Sequence, residues 1–226
     1  MLNRIRKLKK KDDMNKEDHD ILEKCHQRYL NKKFHPEALH LFAKNAPVDV
    51  HNEEIIEKIC TNIRIFYEVD SNDKDIKQND SKYSRKTNKT LRLARNARVM
   101  ITKNISVNDV LANDVRGRII DFVENNNTEV SRIIIICDSL TVGRHHRISC
   151  PHCHGKDAVC VTRERDSVDQ QHSDLRSRKS IKQFPLRLSW AMTIHKAQGI
   201  TVDQVIISTK DLFGSGLGYT ALSRAR

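Results

Sequence analysis

Apolar and polar positions alternate near the end of the chain. Apolar side chains occupy every second position over residues 184–193, namely Phe184, Leu186, Leu188, Trp190 and Met192. This alternation predicts a strand with one buried face. A polar turn over residues 195–199 follows, and the β-branched run over residues 202–207 predicts a second buried strand. Because α/β sheets bind ligands at the carboxyl ends of inner strands, the pattern predicts a ligand site at this turn.

Three glycines at alternate positions, Gly214, Gly216 and Gly218, precede a segment rich in Ala, Leu and Arg. That composition predicts the start of a helix. The glycines leave backbone amides accessible near the helix N-terminus, which favours anions. Arg224 lies one turn further on, where its guanidinium can bind a phosphate through two parallel hydrogen bonds.

Two helices and a strand are predicted earlier in the chain. Apolar residues at spacings of three to four predict an amphipathic helix over residues 17–30, and residues 38–43 are predicted to form a short buried strand. Asn45 is suited to cap a second helix that extends to about Tyr67. Residues 70–90 are polar and without a period, which predicts a loop or linker.

Short alternating runs separated by turns fill residues 91–122, and residues 133–137 form a continuous apolar run. Short strands at this spacing predict a small β-barrel. A Cys-x-x-Cys pair follows at Cys150 and Cys153, with His154 and Cys160 as possible partners in a zinc site. A second Cys-x-x-Cys pair is absent from the sequence, so a polar insertion without a metal is the alternative.

The charge balance limits the classes of partner. The sequence has 41 Lys and Arg against 29 Asp and Glu, a net charge of +12, which favours nucleic acid or an anionic membrane surface. A solvated basic face with neither partner is the alternative. No run of 18 apolar residues occurs and the basic start lacks a signal-peptide core, so we expect neither a membrane span nor secretion. The basic start is either a nuclear-import patch or a solvated helix end, and the six cysteines are expected to be free thiols.

The segments TIHKAQG at residues 193–199 and GYTALSRAR at residues 218–226 resemble the fifth and sixth motifs of superfamily-one helicases, specifically the Pif-one-like DNA helicases. An ordinary strand and helix with surface polar groups is the alternative. Residues 98–104 and 113–117 resemble the small Src-homology-like barrel inserted in that family's second motor domain. The family has Gly where this chain has Asn96 and Asp114, and Asp tolerates left-handed turn geometry.

The resemblance implies an α/β fold, namely a second RecA-like motor domain that is incomplete at its C-terminus and carries an inserted barrel. Residues 1–34 are expected to form the connection from a missing first motor domain. Residues 35–90 and 184–226 are then the second motor domain. Residues 91–183 are the barrel insert with its Cys/His-rich loop.

The resemblance also implies roles for particular residues. In the family, ATP and Mg²⁺ lie between two motor domains, and movement on single-stranded DNA is 5′ to 3′. Arg224 matches the arginine that reaches the γ-phosphate, and Gln198 and Gly199 match positions near the nucleotide. The DNA-contacting set implied by the family is Thr193, His195, Lys196, Lys103, Asn104, Arg116 and Asn45.

One family element is missing from the sequence. The chain contains no G-x-x-x-x-G-K-[ST] phosphate loop and no glycine before residue 117. We therefore expect a helicase fragment that is inactive alone as an ATPase. Two alternatives are open: a non-catalytic module that binds single-stranded nucleic acid, and a subunit that donates Arg224 in trans to a separate first domain.

Overall fold

The computed structural model describes residues 15–69, 75, 90–126, 128–153, 157–166, 181–212 and 216–225. These residues form two compact units. The first comprises the described residues within Met1–Ile55 and Ser189–Arg226, and the second those within Ile56–Leu188. The predicted domain boundaries at residues 34, 90 and 183 stay a prediction.

Four α-helices, one short 3-10 helix (Val107–Asp109) and twelve strands are present in the described residues. The helices are α1 (Lys16–Leu30), α2 (Asn45–Ile59), α3 (Arg144–Ser149) and α4 (Leu217–Leu222). The strands are β1 (Leu39–Phe42), β2 (Arg64–Phe66), β3 (Leu91–Leu93), β4 (Arg98–Ile101), β5 (Arg116–Glu124), β6 (Val130–Cys137), β7 (Val159–Val161), β8 (Glu164–Asp166), β9 (Ile181–Gln183), β10 (Leu186–Leu188), β11 (Ala191–Thr193) and β12 (Val205–Ile207). Among the described helices, none has the length and apolarity needed to cross a bilayer.

The first unit contains a three-stranded parallel sheet in the order β11-β1-β12. The central strand β1 is apolar, and its residues Leu39 and Leu41 are almost fully buried. Met192 of β11 and Ile194 just beyond it complete the core on one side. The buried strand predicted over residues 38–43 is therefore confirmed as β1 of a parallel sheet. The strand predicted over residues 202–207 is shorter, because β12 covers only Val205–Ile207, and it is half-buried rather than buried.

Two predicted elements are wrong in extent. The strand predicted over residues 184–193 is two strands, because β10 pairs antiparallel with β4 whereas β11 pairs parallel with β1. The alternating pattern continues across both strands, so it could not reveal the change of partner. The helix predicted to reach Tyr67 ends at Ile59, and Asn62 follows with a positive φ of 54° that a helix does not accommodate. Ile65 and Phe66, which the predicted helix would have included, belong to β2, and Ile63 lies just before that strand.

The second unit contains an antiparallel sheet in the order β10-β4-β5-β6-β7, together with the two-stranded pairs β2-β3 and β8-β9. The strand predicted over residues 133–137 is confirmed as part of β6. Among the described residues, β10 and β7 are the two edges of this sheet and do not pair with each other. The sheet is therefore open in the described part of the chain, and the predicted closed barrel is not confirmed.

Two turns of the second unit have left-handed backbone geometry. Asn96 precedes β4 and Asp114 precedes β5, and both have a φ of 67°. These are the two positions where the resembling family carries glycine, so the tolerance predicted for Asp114 is confirmed. Asn and Asp adopt positive φ more readily than other non-glycine residues, which explains how the turns are kept without glycine.

Candidate functional site

The three parallel strands of the first unit end at one edge of their sheet. Phe42 lies opposite Thr193, and Leu41 lies opposite Ile207. The backbone N–H of Ile194 donates to Phe42 O at 2.9 Å, and that of Ser208 donates to Leu41 O at 2.9 Å. The segments that follow the strands therefore start side by side, which is the arrangement that places ligand-binding loops in open α/β sheets.

The turn over residues 194–199 presents its polar side chains to solvent. Ile194 and Ala197 are fully buried and anchor the turn in the core, whereas His195 and Gln198 are exposed. Hydrogen bonds from Ala197 N to Thr193 O (3.1 Å) and from Gln198 N to His195 O (3.2 Å) hold its shape. Gly199 ends the turn with a φ of +89° and open space where a Cβ would stand. Gln198 and Gly199 are thus accessible to a ligand.

Arg224 lies beside the segment that follows this turn. Val202 donates its backbone N–H to Arg224 O at 3.0 Å, and Val202 forms a parallel bridge with Ala225. The guanidinium donates from Nη1 to Ile200 O at 3.4 Å and from Nη2 to Ser223 Oγ at 2.7 Å. The structure therefore brings together the two segments that resemble the fifth and sixth helicase motifs.

The start of α2 carries Asn45, another residue of the first unit that the resemblance implies to contact DNA. Asn45 is the first residue of the helix and is exposed. Lys44, the preceding residue, forms an ion pair with Asp211 at 3.3 Å. Both members of that pair are more than a third exposed, so it stabilises the loop by at most about 1 kcal/mol. Thr193, His195 and Lys196 are carried by the neighbouring strand β11 and its turn.

Sequence reasoning missed Asn52, which is 3% exposed on α2. Its side chain accepts from Ala191 N at 2.8 Å and donates to Ala191 O at 3.1 Å. These two bonds satisfy the backbone of edge strand β11 and so position the strand that leads into the turn over residues 194–199. The signal was available, because Asn52 lies four residues from both Val48 and Ile56 on the buried stripe of the helix.

The other three predicted DNA contacts lie in the second unit. Lys103 donates from Nζ to Arg165 O at 2.8 Å, and Asn104 accepts from Asn113 N at 2.9 Å. Asn104 therefore shapes the loop before β5. Arg116 is half-buried, and burial followed by the charge of Arg98 lowers the pKa of its guanidinium, although Asp138 opposes this shift. Contact of these residues with DNA stays a prediction.

The cysteines predicted as metal ligands come together in the second unit. The sulfur atoms of Cys150, Cys153 and Cys160 all lie within 4.8 Å of one another, and all three side chains are buried. Burial acts to raise the pKa of Cys150, but hydrogen bonds from the backbone N–H groups of His152 and Cys153 and from the neighbouring thiols leave it below its usual value. Burial and the same thiols raise the pKa of Cys160. His154 lies outside the described residues.

The parallel sheet with its accessible glycine turn and neighbouring arginine belongs to a mixed α/β fold. Sequence comparison gives the similarity to helicases, because the chain is 32% identical over 189 residues to ATP-dependent DNA helicase PIF1 of Danio rerio. The match covers 84% of this chain and 26% of that relative, so the chain spans about a quarter of the relative's length. No protein-family model matches the sequence.

Solved structures give the same result. A chain from a structure of two coordinating Pif1 helicases that unwind forked double-stranded DNA matches at 25% identity with a TM-score of 0.61, covering 100% of this chain and 43% of that one. A Bacteroides Pif1 structure in complex with ADP-AlF4 matches at 25% identity with a TM-score of 0.57, covering 100% and 45%. The chain is therefore a relative of the Pif1 helicases.

Proposed function

We propose that this chain is the second-motor-domain part of a Pif1-type ATP-dependent 5′ to 3′ DNA helicase. In this proposal Arg224 completes the ATP site. The observation that carries the proposal is the hydrogen-bonded junction between Arg224 and the segment after Gly199. This junction supports the proposal because an arginine suited to bind phosphate lies next to an accessible glycine turn in the same folded unit.

Arg224 is suited to stabilise charge during phosphoryl transfer. Its main chain is fixed through Val202, and within the described part of the chain its guanidinium donates to oxygen atoms of Thr220, Ser223 and Ile200. In the proposal, phosphate oxygens replace some of these acceptors. In phosphoryl transfer, negative charge spreads over the oxygens of the γ-phosphate, and a bidentate guanidinium stabilises it. Gln198 and Gly199 would contact the nucleotide from the neighbouring turn.

ATP hydrolysis also needs a phosphate loop and a carboxylate for Mg²⁺. Because the sequence contains no phosphate-loop motif, we propose that these groups come from a first motor domain and that the chain alone does not hydrolyse ATP. The relative solved in complex with ADP-AlF4 supports a nucleotide as a partner.

We propose single-stranded DNA as the second partner. Thr193, His195, Lys196 and Asn45 supply polar groups at the carboxyl edge of the parallel sheet, and the net charge of +12 favours a polyanion. Lys103, Asn104 and Arg116 supply a second set on what would be the inserted barrel. The relative that unwinds forked DNA supports this partner. Roles in DNA repair or recombination, and a nuclear location, follow from the same proposal.

The ATPase proposal is tested in a chimera that fuses the first motor domain of the Danio rerio relative to this chain. We expect hydrolysis stimulated by single-stranded DNA, and a loss of roughly 10³-fold in kcat for Arg224→Ala. Arg28→Ala, an exposed arginine of α1 in the same unit, is the matched control and is expected to keep full activity. Equal activity of the Arg224→Ala chimera and the wild-type chimera contradicts the proposed role.

DNA binding without hydrolysis is the second candidate function, favoured by the distribution of polar candidates over both units. Fluorescence anisotropy of a labelled oligothymidylate measures it across a salt series. Removing one phosphate contact with Lys196→Ala is expected to reduce the slope of log K against log salt by about 0.7. Lys24→Ala on exposed α1 is the control. DNA binding by the chain together with an inactive chimera supports this second function over the first.

A further inference from the structure

Three thiols of the second unit converge from separate positions in the chain. Cys150 follows the last residue of α3, Cys153 lies in the next turn, and Cys160 is the central residue of β7. Cys153 is 0% exposed and Cys160 is 3% exposed. All three sulfur atoms lie within 4.8 Å of one another, so a single ion between them could contact each sulfur.

The backbone around Cys150 forms a compact Cys-x-x-Cys turn. The backbone N–H of Cys153 donates to Cys150 O at 3.1 Å, and that of Cys150 donates to His146 O at 3.0 Å. Buried cysteines often act only as small apolar side chains. The convergence of this turn with a third buried cysteine, whose sulfur lies 2.8 Å from that of Cys153, goes beyond that role.

We propose that Cys150, Cys153 and Cys160 bind one zinc ion that stabilises the second unit. Zinc bonds to thiolate sulfur at about 2.3 Å in a tetrahedron, which sets neighbouring sulfurs about 3.8 Å apart. In the cluster the sulfurs of Cys153 and Cys160 lie 2.8 Å apart, so these two must separate by about 1 Å to bind the ion. Thiolate ligands favour zinc over magnesium or calcium, which prefer oxygen. The fourth coordination position of the zinc ion is filled by a ligand other than these three sulfurs.

The site would secure an edge of the five-stranded sheet. Strand β7 is an edge strand, held to β6 by pairs such as Cys160 with Ile134. Helix α3 is already fixed at its start, because Asp109 accepts from His145 N at 3.0 Å and from His146 N at 2.9 Å. A metal at Cys150 fixes the other end of the helix and joins it to β7.

The test measures metal bound to the full chain purified under reducing conditions. We expect one zinc per chain by elemental analysis, and a cobalt-substituted protein with an intense sulfur-to-cobalt charge-transfer band and tetrahedral visible bands. Cys153→Ser and Cys160→Ser are each expected to weaken zinc binding roughly 100-fold in a chelator competition. Cys137→Ser is the matched control, because Cys137 is buried in β6 of the same unit but lies outside the cluster.

A further variant keeps the test valid if the serine substitutions unfold the unit. Cys160→His replaces one ligand by another, so it is expected to retain cobalt while its charge-transfer band weakens. Zinc absent from the reduced wild-type chain overturns the proposal, as does equal zinc binding in Cys153→Ser. A Cys153–Cys160 disulfide in the untreated protein, detected by mass after alkylation, also overturns it. None of these results depends on helicase activity.

Discussion

The two units present their candidate residues in different ways. In the first unit, His195 and Gln198 are exposed in the turn beyond β11, although Thr193 within the strand is buried. In the second unit, Lys103 and Asn104 make hydrogen bonds to other parts of the unit, and Arg116 is half-buried. The first unit thus presents side chains to solvent from a turn beyond its sheet, whereas the candidates of the second unit also hold local structure.

Glycines give the sharpest test of this contrast. A Cβ at Gly117 in β5 would meet the backbone oxygen of Ile136, which the sheet holds in place, whereas a Cβ at Gly218 in α4 meets nothing within 4 Å. We expect Gly117→Ala to lower the free energy of unfolding by about 3 kcal/mol. Gly218→Ala is expected to leave it unchanged or raise it by up to about 1 kcal/mol. Urea unfolding measures the free energy of unfolding of both variants. Equal changes would show that the two glycine sites do not differ in the room they leave for a Cβ atom.

Asn52 is a buried polar residue of the first unit that holds strand β11 through two hydrogen bonds to Ala191. Asn52→Ala leaves the backbone N–H and C=O of Ala191 without their side-chain partner, and we expect a loss of about 2.5 kcal/mol in unfolding free energy. Asn52→Asp keeps the acceptor for Ala191 N but buries a carboxylate that faces Ala191 O, so a loss at least as large is expected. The comparison uses urea midpoints at neutral pH. Wild-type stability in Asn52→Ala would show that the two hydrogen bonds do not position β11.

The pH dependence of the first unit is expected to include His40. Burial, and then the charge of His51 with ring centroids 4.0 Å away, lowers the pKa of His40 from 6.5 to about 4. Between these values the unfolded chain binds more protons than the folded chain, so stability falls as the pH is lowered from 6.5 toward 4. The expected contribution is on the order of 2 kcal/mol.

His40→Phe retains an aromatic ring beside His51 but does not titrate. Its urea midpoint is therefore expected to fall less than that of the wild-type protein between pH 7 and pH 4.5. Parallel pH profiles for the two proteins would assign the loss of stability to other groups.

Substitutions at Asn96 test the left-handed turn before β4, and their expected effect on stability is the smallest in this series. At a φ of 67°, the Cβ atom of an alanine clashes with the backbone. Asn96→Ala is therefore expected to lower the free energy of unfolding by about 1 kcal/mol. Asn96→Gly, the residue of the resembling family, is expected to match or slightly exceed the wild-type stability. The unfolding midpoints should follow the order Gly, Asn, Ala. An alanine variant as stable as the glycine variant would argue against the turn geometry.

The sequence predicted well where a local pattern determines the structure. The apolar runs of β1 and β6 predicted buried strands, and the Asp at position 114 was expected to tolerate a left-handed turn. It could not predict pairing partners, because the alternation of β10 continues into β11 although the two strands lie in different sheets. It also missed Asn52, whose two partners are backbone atoms 139 positions away in the chain. The closeness of the three cysteine sulfurs likewise could not be predicted from their spacing in the sequence, because it depends on how α3 and β7 pack.

The most direct test of the account is the ATP hydrolysis rate of the chimera with a Pif1 first motor domain, compared with its Arg224→Lys variant. Lysine keeps the positive charge but loses the planar fork that can bind two phosphate oxygens. The account predicts DNA-stimulated hydrolysis in the wild-type chimera and a large loss of kcat in Arg224→Lys, with KM for ATP changed less. Undiminished kcat in the lysine variant would contradict the claim that Arg224 completes the ATP site.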